Sequence, residues 1–366
     1  MQEKRFRDNV TWMSFLLTLL VIWTHALNTE LFLGDAGKGS PAELVESLLG
    51  EHFAQIAVPG FFMMSAVLFF RNYRPEDTLL KWRRRFHSLV IPFFSWNLLY
   101  YAGYLIAAHV PGLKEISGRE AVPFNVSELF QAAFFYKYNH VFWFVFQLIL
   151  LALLSPLVWC LVQQRATYLC TAALLCVFIF SRNDPTPVNA DALLYYMTGA
   201  RAVTVLAPRG EGAGKPAPGR GAGRKTGTGN RKAFGAKKED SGRLYTGLAF
   251  MCAALAMYWI YLLCRNDLPL VLSRLAAAAS LWTLLLCMPL PSPQPIMYET
   301  FLIYAIHFAP VRLINKCMAL LFSGSAAAAL LTFLLMPAVI LAVAWTANAI
   351  GERFAPGLFR IFTGGR

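Results

Sequence analysis

Apolar stretches of about 20 residues, the length that carries a helix across a hydrocarbon core, recur along this chain with short polar connections between them. Read in such windows, the pattern predicts spans near 11–28, 52–71, 87–108, 141–162, 167–181, 191–207, 245–264, 270–290, 297–316 and 326–350. The expectation is an all-α, polytopic membrane bundle of roughly ten helices. The first span opens on the basic "MQEKRFR" in the manner of a signal peptide. The "HALNTE" that follows it offers no small-x-small cleavage site, so the span is expected to stay as an uncleaved anchor.

Composition agrees with the pattern: 57% hydrophobic and 14% charged residues in 366 fit no ordinary soluble domain. Cysteine adds little. Cys160, Cys170, Cys176, Cys252 and Cys287 lie inside apolar runs, and none of the seven has the paired spacing of a disulfide framework or a zinc site, so no metal centre is expected.

Charge placement sets an expected orientation. The connections "RNYRPEDTLLKWRRRF" and "QQR" and the terminal "GERFAPGLFRIFTGGR" are basic, and they alternate with the acidic "NTELFLGDAGKGSPAELVESLLGE" and the nearly balanced "SRNDPTPVNAD". Lys and Arg favour the cytoplasmic side, so both termini are expected there, in a multi-pass protein of the cell inner (plasma) membrane. One long compositional break, 208–243, carries ten Lys and Arg against three Asp and Glu among Gly, Ala and Pro. It lacks the apolar content to fold alone and reads as a disordered cytoplasmic loop interrupting a single membrane domain over 1–366. More than half of the net charge of +13 resides in it. Phe234 is its only aromatic residue, and inside-positive bias explains the charge more simply than nucleic acid does.

Of six histidines, only His25, in "VIWTHALN", and His307, in "FLIYAIHF", lie at membrane depth with apolar residues on both sides. An ionisable group in a bilayer is expensive and usually faces a protein interior or a watery cavity. A single such imidazole reads equally well as a neutral group bonded to a neighbouring helix; two of them favour chemistry. Under the expected topology both fall in the outer half of the membrane. Tyr304 lies three residues before His307, so the two share a helix face. Two imidazoles and a phenol at similar depth suit proton shuttling or activation of a hydroxyl.

The order of motifs resembles the acyltransferase 3 family, integral membrane enzymes of about ten helices that transfer acyl groups from acyl-coenzyme A to envelope glycans and other acceptors. "LLVIWTHALN" resembles the first-helix His motif of that family, and "VPGFFMMSAVLFFRNY" its second helix. "KWRRRFHSLVIPFFSW" is similar to its basic stretch leading to a Pro and an aromatic, "HVFWFVFQLILLALLSPLV" to its fourth helix, and "YETFLIYAIHFAPV" to its late Tyr-x-x-His helix. Two departures stand out: Ser14 occupies the place of a frequent Arg eleven residues before the His, and Ala66 the place of a frequent Gly.

The resemblance implies a membrane-bound acyltransferase moving an acetyl or succinyl group from acyl-CoA to a hydroxyl of an extracytoplasmic glycan. It implies no permanently bound cofactor, with membrane lipid, donor and glycan as the partners. His25 is then the expected general base, and His307 a second base, an acid for the leaving thiolate or a nucleophile, with Tyr304 beside it. Ser65 reads either as a donor to the developing oxyanion or as a helix Ser bonding its own i−4 carbonyl. Trp143 reads as a tunnel wall or an interface anchor. Arg83, Arg84 and Arg85, with Lys81, read as topology signal, as ligands of coenzyme A phosphates, or both. A transporter or flippase of envelope polymer units would share the helix number and basic loops, although no inverted repeat is evident.

Overall fold

The computed structural model describes residues 2–110, 122–182, 187–206 and 229–365, with side chains for all of these except Gln2, Leu206 and 229–240. Among the described residues every regular element is helical and there is no strand. The main helices are α1 (Gln2–His25), α2 (Ala57–Phe70), α3 (Ile91–His109), α4 (Trp143–Leu153), α5 (Ser155–Gln163), α6 (Arg165–Ser181), α7 (Ala190–Leu206), α8 (Gly229–Cys264), α9 (Asp267–Cys287), α10 (Thr300–Ile306), α11 (Phe308–Leu321), α12 (Ala326–Phe354) and α13 (Pro356–Thr363).

All ten apolar stretches fall on helices, but not all on full spans. Among the described residues, six helical segments are long and apolar enough to cross a membrane, or seven if the bent pair α4–α5 is one span. The expected spans 167–181 and 191–207 correspond to α6 and α7, of 17 residues each. At about 1.5 Å per residue these fall several Å short of a ~30 Å hydrocarbon core. The expected basic loop 208–243 lies mostly outside the described residues, and the backbone of α8 already begins within it, at Gly229.

Two prolines explain two broken spans. A proline lacks the N–H that would bond the carbonyl four residues back and crowds that carbonyl. Pro156 frees Ala152, whose carbonyl instead accepts from Trp82 Nε1–H at 2.8 Å, and α4 bends into α5 by 66°. Pro310 likewise denies Ile306 its partner, and the expected span 297–316 divides there into α10 and α11, with His307 at the joint.

The core forms where α2 is sandwiched. On one side Gly60 of α2 meets Leu17 of α1; on the other a Cβ at Gly199 of α7 would overlap the Met63 carbonyl oxygen and lie 2.8 Å from Met63 Cα. Only glycine admits so close a backbone approach. Phe62, Phe70, Tyr195, Tyr196 and Met197 are fully buried around this crossing. Helices α8 and α9 pair through the hydroxyls of Ser273 and Ser280, which donate to the Ala254 and Gly247 carbonyls at 2.8 Å each. The pair is tied to the start of α1 by Arg5, bonded to the Leu286 carbonyl at 2.9 Å, and by Trp12, bonded to the Pro291 carbonyl at 2.8 Å.

Candidate functional site

His25 is the last residue of α1, and His307 sits at the Pro310-induced joint, 0% exposed. Packing of α1 against α10 and α11 brings the rings to 5.2 Å between centroids, with planes inclined at 42°. His25 is half-buried and touches Phe308 edge-on at 5.5 Å; neither of its ring nitrogens makes a hydrogen bond.

One backbone atom differentiates the nitrogens of His307. Its Nδ1 lies 2.5 Å from the Tyr304 carbonyl oxygen. A carbonyl only accepts, so in the neutral ring the proton resides on Nδ1 and Nε2 is the bare nitrogen. Nε2 is fully buried with no hydrogen-bond partner. A buried, unsatisfied acceptor is uncommon and calls for a functional or structural explanation. The bare Nε2 and the His25 ring therefore make two adjacent imidazoles with nitrogen lone pairs open to a proton.

Tyr304 is buried within ring contact of His307, at 5.8 Å, and stacks on Phe142 at 5.7 Å. Its hydroxyl donates to the Val141 carbonyl. The phenol proton is thus committed to the segment entering α4. That segment is braced in turn by two buried amides: Asn139 Nδ2 donates to Asn97 Oδ1 at 3.2 Å, and Asn97 Nδ2 to the Ala133 carbonyl at 3.2 Å. Both were overlooked in the sequence, where a lone Asn beside an apolar run looks like an interface residue.

Trp143 opens α4 half-buried and lies 6.4 Å from Phe62, placing it in the aromatic layer that continues through Phe144 to Tyr304. Ser65 of α2 is half-buried. Ser14, Thr18, Thr24 and Ser95 all bond back to their i−4 carbonyls, but Ser65 makes no such bond.

The basic cluster divides by position. Lys81 Nζ donates to the Phe69 carbonyl at 2.5 Å, satisfying an open carbonyl at the α2 C-terminus where a cation also complements the helix dipole. The Arg85 guanidinium lies 5.8 Å from the Phe69 ring centroid, partly covered. Arg83 and Arg84 are exposed. Nearby, Arg71 is engaged by Glu3 at 2.5 Å and lies over the Phe6 ring at 3.9 Å. A cavity of about 350 Å³ opens at the other end of α10, between α12 and α13, where Glu299, Glu352, Asn348 and Arg360 line it. Among the described residues no group of three or more His, Cys, Asp or Glu side chains is arranged to hold a metal ion.

A family model described as an acyltransferase domain matches residues 7–204, a stretch that holds His25, Ser65, the basic cluster and Trp143 and ends before Tyr304 and His307. No curated protein and no solved structure matches the chain.

Proposed function

Because this chain belongs to the acyltransferase 3 family, we propose that it moves an acetyl or succinyl group from acyl-CoA to a hydroxyl of an extracytoplasmic, envelope-type glycan. The observation that carries the reading is the facing of His25 and His307, the latter with its tautomer fixed by the Tyr304 carbonyl. A bundle needing only a rigid core has no use for a buried imidazole whose Nε2 goes unsatisfied beside a second imidazole.

In this scheme the acceptor hydroxyl attacks the thioester carbonyl and His25, the more accessible ring, takes its proton. His307 Nε2 stabilises the resulting imidazolium by accepting the second N–H of His25, a contact that tightens when substrate binds. The C–S bond breaks as the tetrahedral intermediate collapses, the thiolate takes the acceptor's proton from the His25 imidazolium and leaves as coenzyme A, and the acyl ester remains on the acceptor. Ser65 takes no part in this step: Met64 beside it meets Ser14 Oγ at 3.4 Å, and Ser14 lies eleven residues, roughly 16 Å, along α1 from His25. Tyr304 serves as the brace that holds His307 to the Val141 segment, and Trp143 walls the passage. Ser14, bonded to Val10, offers no positive charge in place of the frequent first-helix Arg.

For the donor's phosphates the exposed Arg83 and Arg84 are the favoured cations, with Arg85 behind them. The cavity beside α10 carries two carboxylates, the wrong sign for a polyphosphate. The cytoplasmic placement of both termini, the ten-pass count and the inner-membrane location belong to the same proposal, since a donor made in the cytoplasm and an acceptor displayed outside require a passage between them. The test is incubation of purified protein with acyl-CoA labelled in the acyl group, adding glycan fractions one at a time. Labelled glycan and free coenzyme A in equal amounts are expected; absence of both with every fraction contradicts the proposal.

A further inference from the structure

We infer that Glu46 and Asn315 are positioning residues: together they lock the turn that follows His25 to the helix that follows His307, and so set the spacing of the two imidazoles. This rests on the proposed part of the histidines in transfer.

His25 ends α1 and the next three residues have no regular structure. A helix end leaves several carbonyls without intrahelical partners and frays readily. A reactive side chain on such an end would wander unless something else fixed the chain beyond it. Here the polar groups just past His25 are held by buried side chains. The Ala26 carbonyl accepts from Asn315 Nδ2 at 3.1 Å. Asn28 Nδ2 donates to Asn315 Oδ1 at 3.2 Å, so one amide grips the turn from both of its ends. The backbone N–H groups of Asn28 and Thr29 donate to the Glu46 carboxylate, Asn28 to both oxygens at 3.1 and 3.2 Å and Thr29 to Oε2 at 3.1 Å.

These groups are out of solvent: Ala26 is 0%, Asn28 3%, Glu46 5% and Asn315 5% exposed. Hydrogen bonds to a charged, buried carboxylate are stronger than neutral ones, and removing one partner leaves the rest of the network unsatisfied. Asn315 lies eight residues beyond His307, about two helical turns or roughly 12 Å along α11. A rigid helix therefore carries His307 at one end and the grip on Ala26 further along. The path from ring to ring runs His25, Ala26 carbonyl, Asn315, α11, His307.

A network that only stabilised the fold would lower the unfolding temperature without acting through His25. The experiment uses the full-length purified protein with Asn315→Ala, Glu46→Ala and Glu46→Gln, each alone and combined with His25→Gln. Three quantities are read: acyl transfer, thermal midpoint in detergent, and the rate at which diethyl pyrocarbonate carbethoxylates His25, followed by mass spectrometry. In folded Asn315→Ala, kcat is expected to fall about tenfold or more with donor KM within about twofold, and His25 to react several-fold faster. In the His25→Gln background the same substitution should change residual transfer by less than about twofold, since its effect passes through the ring already lost. Glu46→Gln keeps an acceptor oxygen for the Asn28 and Thr29 N–H groups and should regain most of what Glu46→Ala loses.

Unchanged His25 carbethoxylation in a folded Asn315→Ala protein overturns the inference, and so does a loss that is fully additive with His25→Gln. If Asn315→Ala does not fold, Asn28→Ser, which removes only the side-chain contact to Asn315, is judged by the same two criteria. The chemical labelling requires no transfer activity. A parent protein that transfers no acyl group therefore defeats the functional proposal while the labelling still decides the positioning role.

Discussion

At His307 a single carbonyl, that of Tyr304, decides which ring nitrogen is free, and the Tyr304 side chain holds the same turn to Val141. The phenol is therefore given a structural part, which can be separated from chemistry by substitution. Tyr304→Phe removes one buried hydrogen bond and leaves the Val141 carbonyl unpaired, a cost of about 1–3 kcal/mol. The expected result is a lowered thermal midpoint with transfer within about tenfold of the parent. A loss of a hundredfold or more at full folding would make Tyr304 a proton carrier instead. Both histidines were legible in the sequence as imidazoles inside apolar runs. Their meeting was not, because residues 25 and 307 are joined by packing between distant helices, which no local periodicity encodes. Asn28, Glu46 and Asn315 were missed for a related reason: polar residues at the ends of spans look like ordinary interface residues until their partners are seen.

At the scale of elements, window hydropathy put all ten expected stretches on helices, yet it passed over the short apolar helix Val126–Phe135 and averaged over the prolines that break two of the spans. Pro310 is the informative case, since it places His307 at a joint rather than in mid-helix. Pro310→Ala restores an N–H for the Ile306 carbonyl and lets α10 and α11 join as one hydrogen-bonded helix. The protein should fold with equal or higher thermal stability, while the His307 ring shifts and transfer falls about tenfold, since an error near 1 Å in a catalytic group is costly. Equal transfer in a continuously bonded helix would show that the joint is incidental. The α2–α7 crossing makes a second prediction. Gly199→Leu has no room against the Met63 backbone, and overpacking of this kind costs at least about 1–3 kcal/mol. Size-exclusion chromatography should show aggregated or poorly folded protein. A monodisperse profile and unchanged midpoint would mean that α7 can slide away from α2 freely.

For the molecule as a whole, the alternation of basic and acidic connections carries an orientation that the helices alone do not. Cysteine labels at Gly37 and within 208–243 are expected to report opposite sides of the membrane; labels on one side would remove the basis for placing both histidines in the outer half. The family match over residues 7–204 covers His25 and ends well before His307, so the central claim is that the two ends of the chain build one catalytic pair. The most direct measurement is acyl transfer by the purified parent, His25→Gln and His307→Gln, with donor affinity measured alongside. Gln keeps a hydrogen bond but takes no proton, so each variant should bind acyl-CoA as the parent does and lose transfer by roughly a hundredfold or more. Because the residues act as a unit, the double variant should be little worse than either alone. Full transfer by His25→Gln or by His307→Gln would contradict the account.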